Sequence, residues 1–393
     1  RDVRGVARGL SGALGSLWMT YGSIAPLLAG AAVGSMARST FQVGKDLEYR
    51  LRFVEALGNR PISVDEMMPQ VIGSMKTPLE AAEALQALAQ AGFTANESLQ
   101  TLGTTMRLST LGELDITEAA RTMTGTISAF GLSASQAERV GDVFAKAAAS
   151  SNTSVAQITE AMRQASTAAA HYNISIEEAS AALAVTAKRN ITGSMAGTSY
   201  RNMLKELYTP IARGAQAMEQ LGLSAYKADG SMKPLSEVLL EVRDRLVGLD
   251  EQSRNIALEA IFGERGGRAI RPILADLEGY LEMIERMEDS TGFLAEANAK
   301  LIDTVEGSAN RFQSTLQQSY AKAYEEVEGN VRDLILTLDR AVASEGFINV
   351  LKTLVNSITA IGEAAVRSAG FLKTIAIVYG TIKVAQVAAA GVQ

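Results

Sequence analysis

The chain has 393 residues, of which 47% are apolar and 20% charged, with a formal net charge of −6. That length and apolar content suffice to bury sizeable cores, which excludes a chain disordered throughout. With no Cys and a single His, disulfides, cysteine nucleophiles, thiolate metal sites and most imidazole-based triads and zinc sites drop out.

Prolines number only 7 and aromatics reach 5%, while Ala, Leu, Glu, Gln and Met fill most windows. These are good helix formers, so the expected fold is all-α. It reads as repeated helical hairpins followed by a long heptad-patterned helix, with apolar helices at both ends. The expected division is an apolar helical segment over 1–60, a helical-hairpin repeat domain over 61–275, a long helix or coiled-coil segment over 276–350, and an apolar helix over 351–393. The acidic balance and the absence of a Lys/Arg cluster speak against broad contact with duplex DNA.

The chain opens on Arg1 rather than Met, which suggests a portion of a longer protein. Gly9 to Ala37 forms an uncharged run behind Arg1, Arg4 and Arg8, long enough for the ~20 apolar residues that span a bilayer. Six glycines and Pro26 interrupt it, and its small residues suit close packing in lipid or in a protein assembly alike.

A helix-start signal recurs through the middle of the chain: a hydroxyl or Asp followed three residues later by Glu or Gln, the capping box. It stands at Ser63/Glu66, Thr94/Glu97, Asp115/Glu118, Ser133/Gln136, Ser154/Gln157 and Ser175/Glu178. Taken two at a time from Thr94, the starts recur at the spacing of helical-hairpin repeats. The short phrases "AGFTANES", "FGLSASQA", "YNISIEEA" and "LGLSAYKA" recur with them. Within the helices many apolar positions are alanine, which permits close helix approach and a thin core. Gly92 and Gly131 punctuate the phrases and Gly263 follows "AIF", so these read as structural glycines.

The stretch "GSMAGTSYRNML", 193–204, invites a phosphate-loop reading and fails it. A phosphate loop needs G-x-x-x-x-G-K-[ST] after a strand, whereas Gly193 and Gly197 are one residue too close, Thr198 replaces Lys, and the preceding segment is helical. Gly193 is expected to end the helix begun near Ser175, Gly197 to let the next helix approach a neighbour, and the hydroxyls to cap "SYRNMLKELY". In "FGERGGRAIRPIL", Arg265, Arg268 and Arg271 lack interleaved aromatics, and a turn entering a helix accounts for them. His171 reads as a helix-end residue, and the adjacent pairs Glu177–Glu178 and Glu325–Glu326 diverge around a helix. No enzyme or cofactor signature survives.

Beyond residue 290, Ile302, Val305, Ala309, Phe312, Leu316, Ser319 and Ala323 step by alternating threes and fours, and Val327, Val331, Leu334 and Leu338 continue after one shifted step. This is a heptad seam that either pairs with copies of itself or packs on its own domain. In the last stretch Lys373 and Lys383 divide the apolar residues into shorter pieces, which favours a buried or interfacial helix there.

From about Leu79 to Leu274 the sequence resembles the core region of phage tail tape measure proteins. The resemblance is carried by "ALAQAGFTANES", by "LDITEAARTMTGTISAFGLSASQAERVGDVFAKAAASSNTSVAQITEAM", by "SIEEASAALAVTAKRNITGSMAGTSYRNMLKELYTP", by "LGLSAYKADGSMKPLSEVLLEVRDRL" and by "AIFGERGGRAI". Each piece is weak alone and their order is specific. Asn190 departs from the family pattern, which has glycine there. The resemblance implies a structural, non-enzymatic protein of the tail lumen that templates tail tube assembly, sets tail length and leaves during genome ejection. It further implies copies of itself as partners, as a trimer or hexamer, with tail tube and baseplate hub proteins, tail assembly chaperones and the host inner membrane. The implied location is the virion, in the tail tube lumen or at its baseplate end, and the host cytoplasm during assembly. Two readings stand beside it: a helical-repeat interaction or adaptor module, and a membrane-active ejection protein.

Overall fold

A computed structural model describes residues 25–343. Fifteen α-helices fill the described residues and no strand is among them; the nearest approach is an isolated bridge between Tyr226 and Met232. The chain divides into two compact units, 1–324 and 325–393.

The first unit opens with α1 (Ala25–Gly58), α2 (Val64–Ile72) and α3 (Pro78–Gln90). An array follows: α4 (Ala95–Gly112), α5 (Ile116–Ala129), α6 (Ala137–Ala149), α7 (Val155–His171), α8 (Ile176–Ala187) and α9 (Gly193–Tyr208). Then come α10 (Ala212–Gln220), α11 (Leu235–Val247), α12 (Glu251–Ala275), α13 (Leu277–Glu288), α14 (Phe293–Ile302) and α15 (Val305–Ala343). The stretch 276–350 therefore holds three helices over its described part rather than one.

The array is built on a two-helix step. From α3 to α9 each helix packs on the next and on the one after it. Alternate helices start at Thr77, Asp115, Ser154 and Thr192, spaced 38, 39 and 38 residues apart. Side-chain hydrogen bonds cross the structure at almost the same interval. Arg50 reaches Gln86 at 2.8 Å, Thr110 the Ser74 carbonyl at 2.7 Å, Arg139 Glu177 at 2.6 Å and Asn152 Asn190 at 3.0 Å, over separations of 36 to 38 residues. The repeat is thus tied copy to copy.

The caps explain where these helices begin. Ser63 and Thr94 make full capping boxes with Glu66 and Glu97. Thr77 makes a third with Glu80, ahead of Pro78 in the first turn, where its missing N–H costs nothing. Asp115, Ser154 and Ser175 cap their helices through the side chain alone. Ser133 opens a single 3₁₀ turn, its N–H donating to Gln136 at 3.2 Å.

The core matches the alanine-rich sequence. Ala161, Ala165, Ala169, Ala179 and Ala182 are fully or almost fully buried around Phe144 and Tyr200 in one large cluster, while Leu47, Val54, Met67, Leu85 and Leu102 centre a second. Small side chains bring backbones close and leave their contacts unforgiving. No described helix is long and apolar enough to cross a membrane, and α1 is interrupted by Arg38, Lys45 and Asp46. Of the membrane-spanning candidate 9–37, residues 9–24 lie outside the described residues and 25–37 fall in α1, which does not qualify as a span; the apolar helix expected over 351–393 lies outside the described residues.

Candidate assembly surface

α15 turns two heptad faces in opposite directions. Gly307, Ser314, Ala321 and Tyr324 are buried, with Asn310 and Gln317 half-buried between them. That inward face steps by threes and fours and is small or polar. The apolar positions of the seam point the other way: Val305 is 89% exposed, Phe312 67% and Leu316 36%. Ala309, Ser319 and Ala323 share that face and are exposed with them. Ile302 ends α14 and is half-buried, so the first step of the seam crosses a helix break. Val327, Val331, Leu334 and Leu338 lie along α15 with side chains outside those described.

Large apolar side chains standing in a row in water mark a surface awaiting a partner, since burying them yields roughly 25 cal/mol per Å². α15 is about 58 Å long at 1.5 Å per residue, enough for more than five heptads of contact.

The structural glycines fall where the chain turns or closes up. Gly92, Gly131 and Gly193 have φ of 95°, 63° and 57°. Gly193 does not end α8, as the sequence suggested; it is the first residue of α9. The stop is Asn190, at φ 61°, a residue whose short amide tolerates the left-handed region. The hydroxyls expected to cap "SYRNMLKELY", on Ser194, Thr198 and Ser199, lie inside α9, which begins earlier, and Thr192 precedes it without a side-chain cap. At Gly197 a Cβ would strike the Ala161 carbonyl oxygen, which sets the close approach of α9 to α7. Gly263, at φ 57° and ψ −171°, kinks α12 between two helical segments.

That kink replaces the turn expected in "FGERGGRAIRPIL". Helix runs on both sides of it, Pro272 sits inside the second segment, and Arg268 and Arg271 face Glu264 at 2.6 Å and Glu259 at 3.8 Å on the same helix. His171 is the last residue of α7, its ring edge-on to Tyr172 at 4.9 Å.

Two buried polar residues, Asp142 and Asn298, escaped the sequence reading, as did the partners of half-buried Glu178. Asp142 on α6 is 1% exposed and accepts from the Gly292 N–H at 2.7 Å and the Leu294 N–H at 2.8 Å, capping α14 from 150 residues away. Burial pushes its carboxyl above the usual range, against the pull of those two N–H groups. Asn298 on α14, also 1% exposed, donates to the Gly73 carbonyl at 2.8 Å. Glu178, three residues after the Ser175 cap in "SIEEAS", accepts from the Ser236 N–H at 3.1 Å and the Tyr280 hydroxyl at 3.3 Å, both at Oε1. Its carboxyl is raised by burial, as are the phenols of Tyr200 and Tyr280 beside it. Asp142 and Asn298 sit at helical positions where an apolar residue would fit the pattern, and that misfit was the available signal, whereas Glu178 stands where a capping signal expects a carboxylate.

Residues 70–263, from α2 to the α12 kink, match the pattern of the phage-related minor tail protein family. That region of the chain belongs to the family. It is 28% identical over 335 residues to the tape measure protein of Pneumococcus phage Dp-1, covering 84% of this chain and 28% of that protein. It is 27% identical over 307 residues to the probable tape measure protein of Escherichia phage P2, covering 76% of this chain and 37% of that one. The chain thus spans about a third of the length of these relatives. No solved structure matches it. Within the family, the matched region is the alanine-rich array, and the exposed seam lies C-terminal to it.

Proposed function

We propose that this chain is a folded assembly part of a tail tape measure protein, a structural and non-enzymatic component of the tail lumen. In the whole protein, copies associate along the α15 seam, tail tube subunits polymerise around them, and the protein leaves ahead of the DNA. The observation that carries the seam is the outward row of Val305, Phe312 and Leu316 on a helix whose small polar face is turned inward. Relatives named as tape measure proteins support the lumen assignment.

The array is not the ruler. A single helix of 393 residues would reach about 590 Å, whereas a two-helix repeat folded back on itself covers a small fraction of that. Length determination falls to the part of the relatives' length that this chain does not span. Tail assembly chaperones and hub proteins are the further partners this role calls for. In-frame deletions outside the region matched here should shorten tails in proportion to the residues removed, measured by electron microscopy. Tails of unchanged length would overturn the ruler assignment.

A further inference from the structure

α14 and the first half of α15 cross over the array and are tied to it differently from every helix beneath. Among the described residues after 289, Leu294 enters the large apolar cluster with Phe293 packed against its edge, and Ala321 enters the second. Polar contacts carry the attachment instead. Asp142 caps the N-terminus of α14 through Gly292 and Leu294, and Asn298 holds the Gly73 carbonyl from the middle of that helix. The Lys146 ammonium stands 4.8 Å from the Phe293 ring centre, and Leu294 fills the space a side chain at Gly141 would need. Farther along, Lys322 pairs with Asp65 at 3.0 Å, and Tyr324 packs on Gly44 and on the Phe41 ring at 5.9 Å.

Much of what lies under this segment is poorly satisfied. Asn298 Oδ1, Ser314 Oγ and Gln317 Oε1 are buried with no hydrogen-bond partner. A cleft of about 160 Å³ remains between α2 and α15, with Met68, Val71 and Met75 on one wall and Asn310, Ser314 and Gln318 on the other. An apolar wall facing a polar one gains little from contact, and each orphaned polar atom recovers a hydrogen bond to water on separation. Lifting the segment would also leave the two apolar clusters almost intact.

We propose that residues 290–324 form a releasable strap, latched by Asp142 and Asn298, that opens as one unit while the array beneath it stays folded. The strap follows from geometry alone and holds whether or not the tail reading does. Hydrogen exchange on the full chain tests it, comparing wild type with Asp142→Asn. The amide keeps one acceptor and turns an NH₂ toward the second N–H, so the latch is broken with little change in volume. Exchange through 293–324 should accelerate at least tenfold, by a common factor in α14 and α15 although Asp142 touches only α14, with α7 and α8 unchanged. Asn298→Ala, in the middle of α14, should give the same pattern. Acceleration confined to residues next to Gly292, or spread through the whole array, would overturn the strap. So would unfolding of the array in both variants, because the segment would then belong to the core.

Discussion

At Gly197 a single hydrogen in place of a methyl group decides how close two helices lie. Substitution Gly197→Ala drives a Cβ into the Ala161 carbonyl, and backbone atoms cannot rotate out of the way. A cost of about 1–3 kcal/mol is expected, read as a lower denaturant midpoint with an unchanged slope. Gly125, also helical, has nothing within 4 Å of where a Cβ would stand, so Gly125→Ala should instead stabilise by roughly 0.5–1 kcal/mol.

Glu178 supplies a pH test on the same scale. Burial raises its folded-state pKa above the unfolded value, with Glu288 adding repulsion, so its contribution is full at acid pH and is lost as pH rises through the folded pKa. Glu178→Gln keeps the Oε1 acceptor that serves Ser236 and Tyr280 and removes the titration. Urea midpoints followed from about pH 4 to pH 8 should fall more with rising pH in wild type than in the variant, which gains on it toward neutrality. Parallel profiles would show that Glu178 titrates as it does in the unfolded chain. Neither residue's role was equally legible: Gly197 announces itself by its missing side chain, whereas Glu178 hides in a capping motif because its partners lie 58 and 102 residues away.

Elements were legible wherever a local signal set them. Helix starts follow cap chemistry that acts within three residues, so Ser63, Thr94, Asp115, Ser154 and Ser175 stand where the sequence puts them. Thr77 was overlooked although Thr-Pro-Leu-Glu carries the same signal, and with it went the first step of the alternate-helix series. The end of α8 was misplaced because Asn190 takes the left-handed stop that Gly193 seemed made for. Which face of α15 turns inward could not be read at all. The period of three and four fits both faces, and only the packed structure shows Gly307, Ser314 and Ala321 inside with Phe312 outside.

That orientation makes a prediction about the helix itself. Phe312→Glu with Leu316→Glu changes exposed positions, so thermal stability of the monomer should move by no more than about 0.5 kcal/mol. Self-association, followed by sedimentation velocity, should be lost. Association that survives both charges would place the contact elsewhere on the chain.

On the scale of the whole molecule, close-packed alanine-rich helices form the array and α15 carries an outward apolar row. Fold class was legible from composition, since helix formers and few prolines leave little room for anything else. The long-range ties were not: Asp142 to α14 and Asn298 to Gly73 join residues 150 to 225 positions apart, and no local pattern encodes them. The account stands or falls on whether this folded part is required for tails without setting their length. Electron microscopy of particles assembled with residues 94–200 deleted in frame from the whole protein measures that directly. The predicted result is heads without tails. Tails of normal number and length, or tails shortened only in proportion to the residues removed, would contradict it.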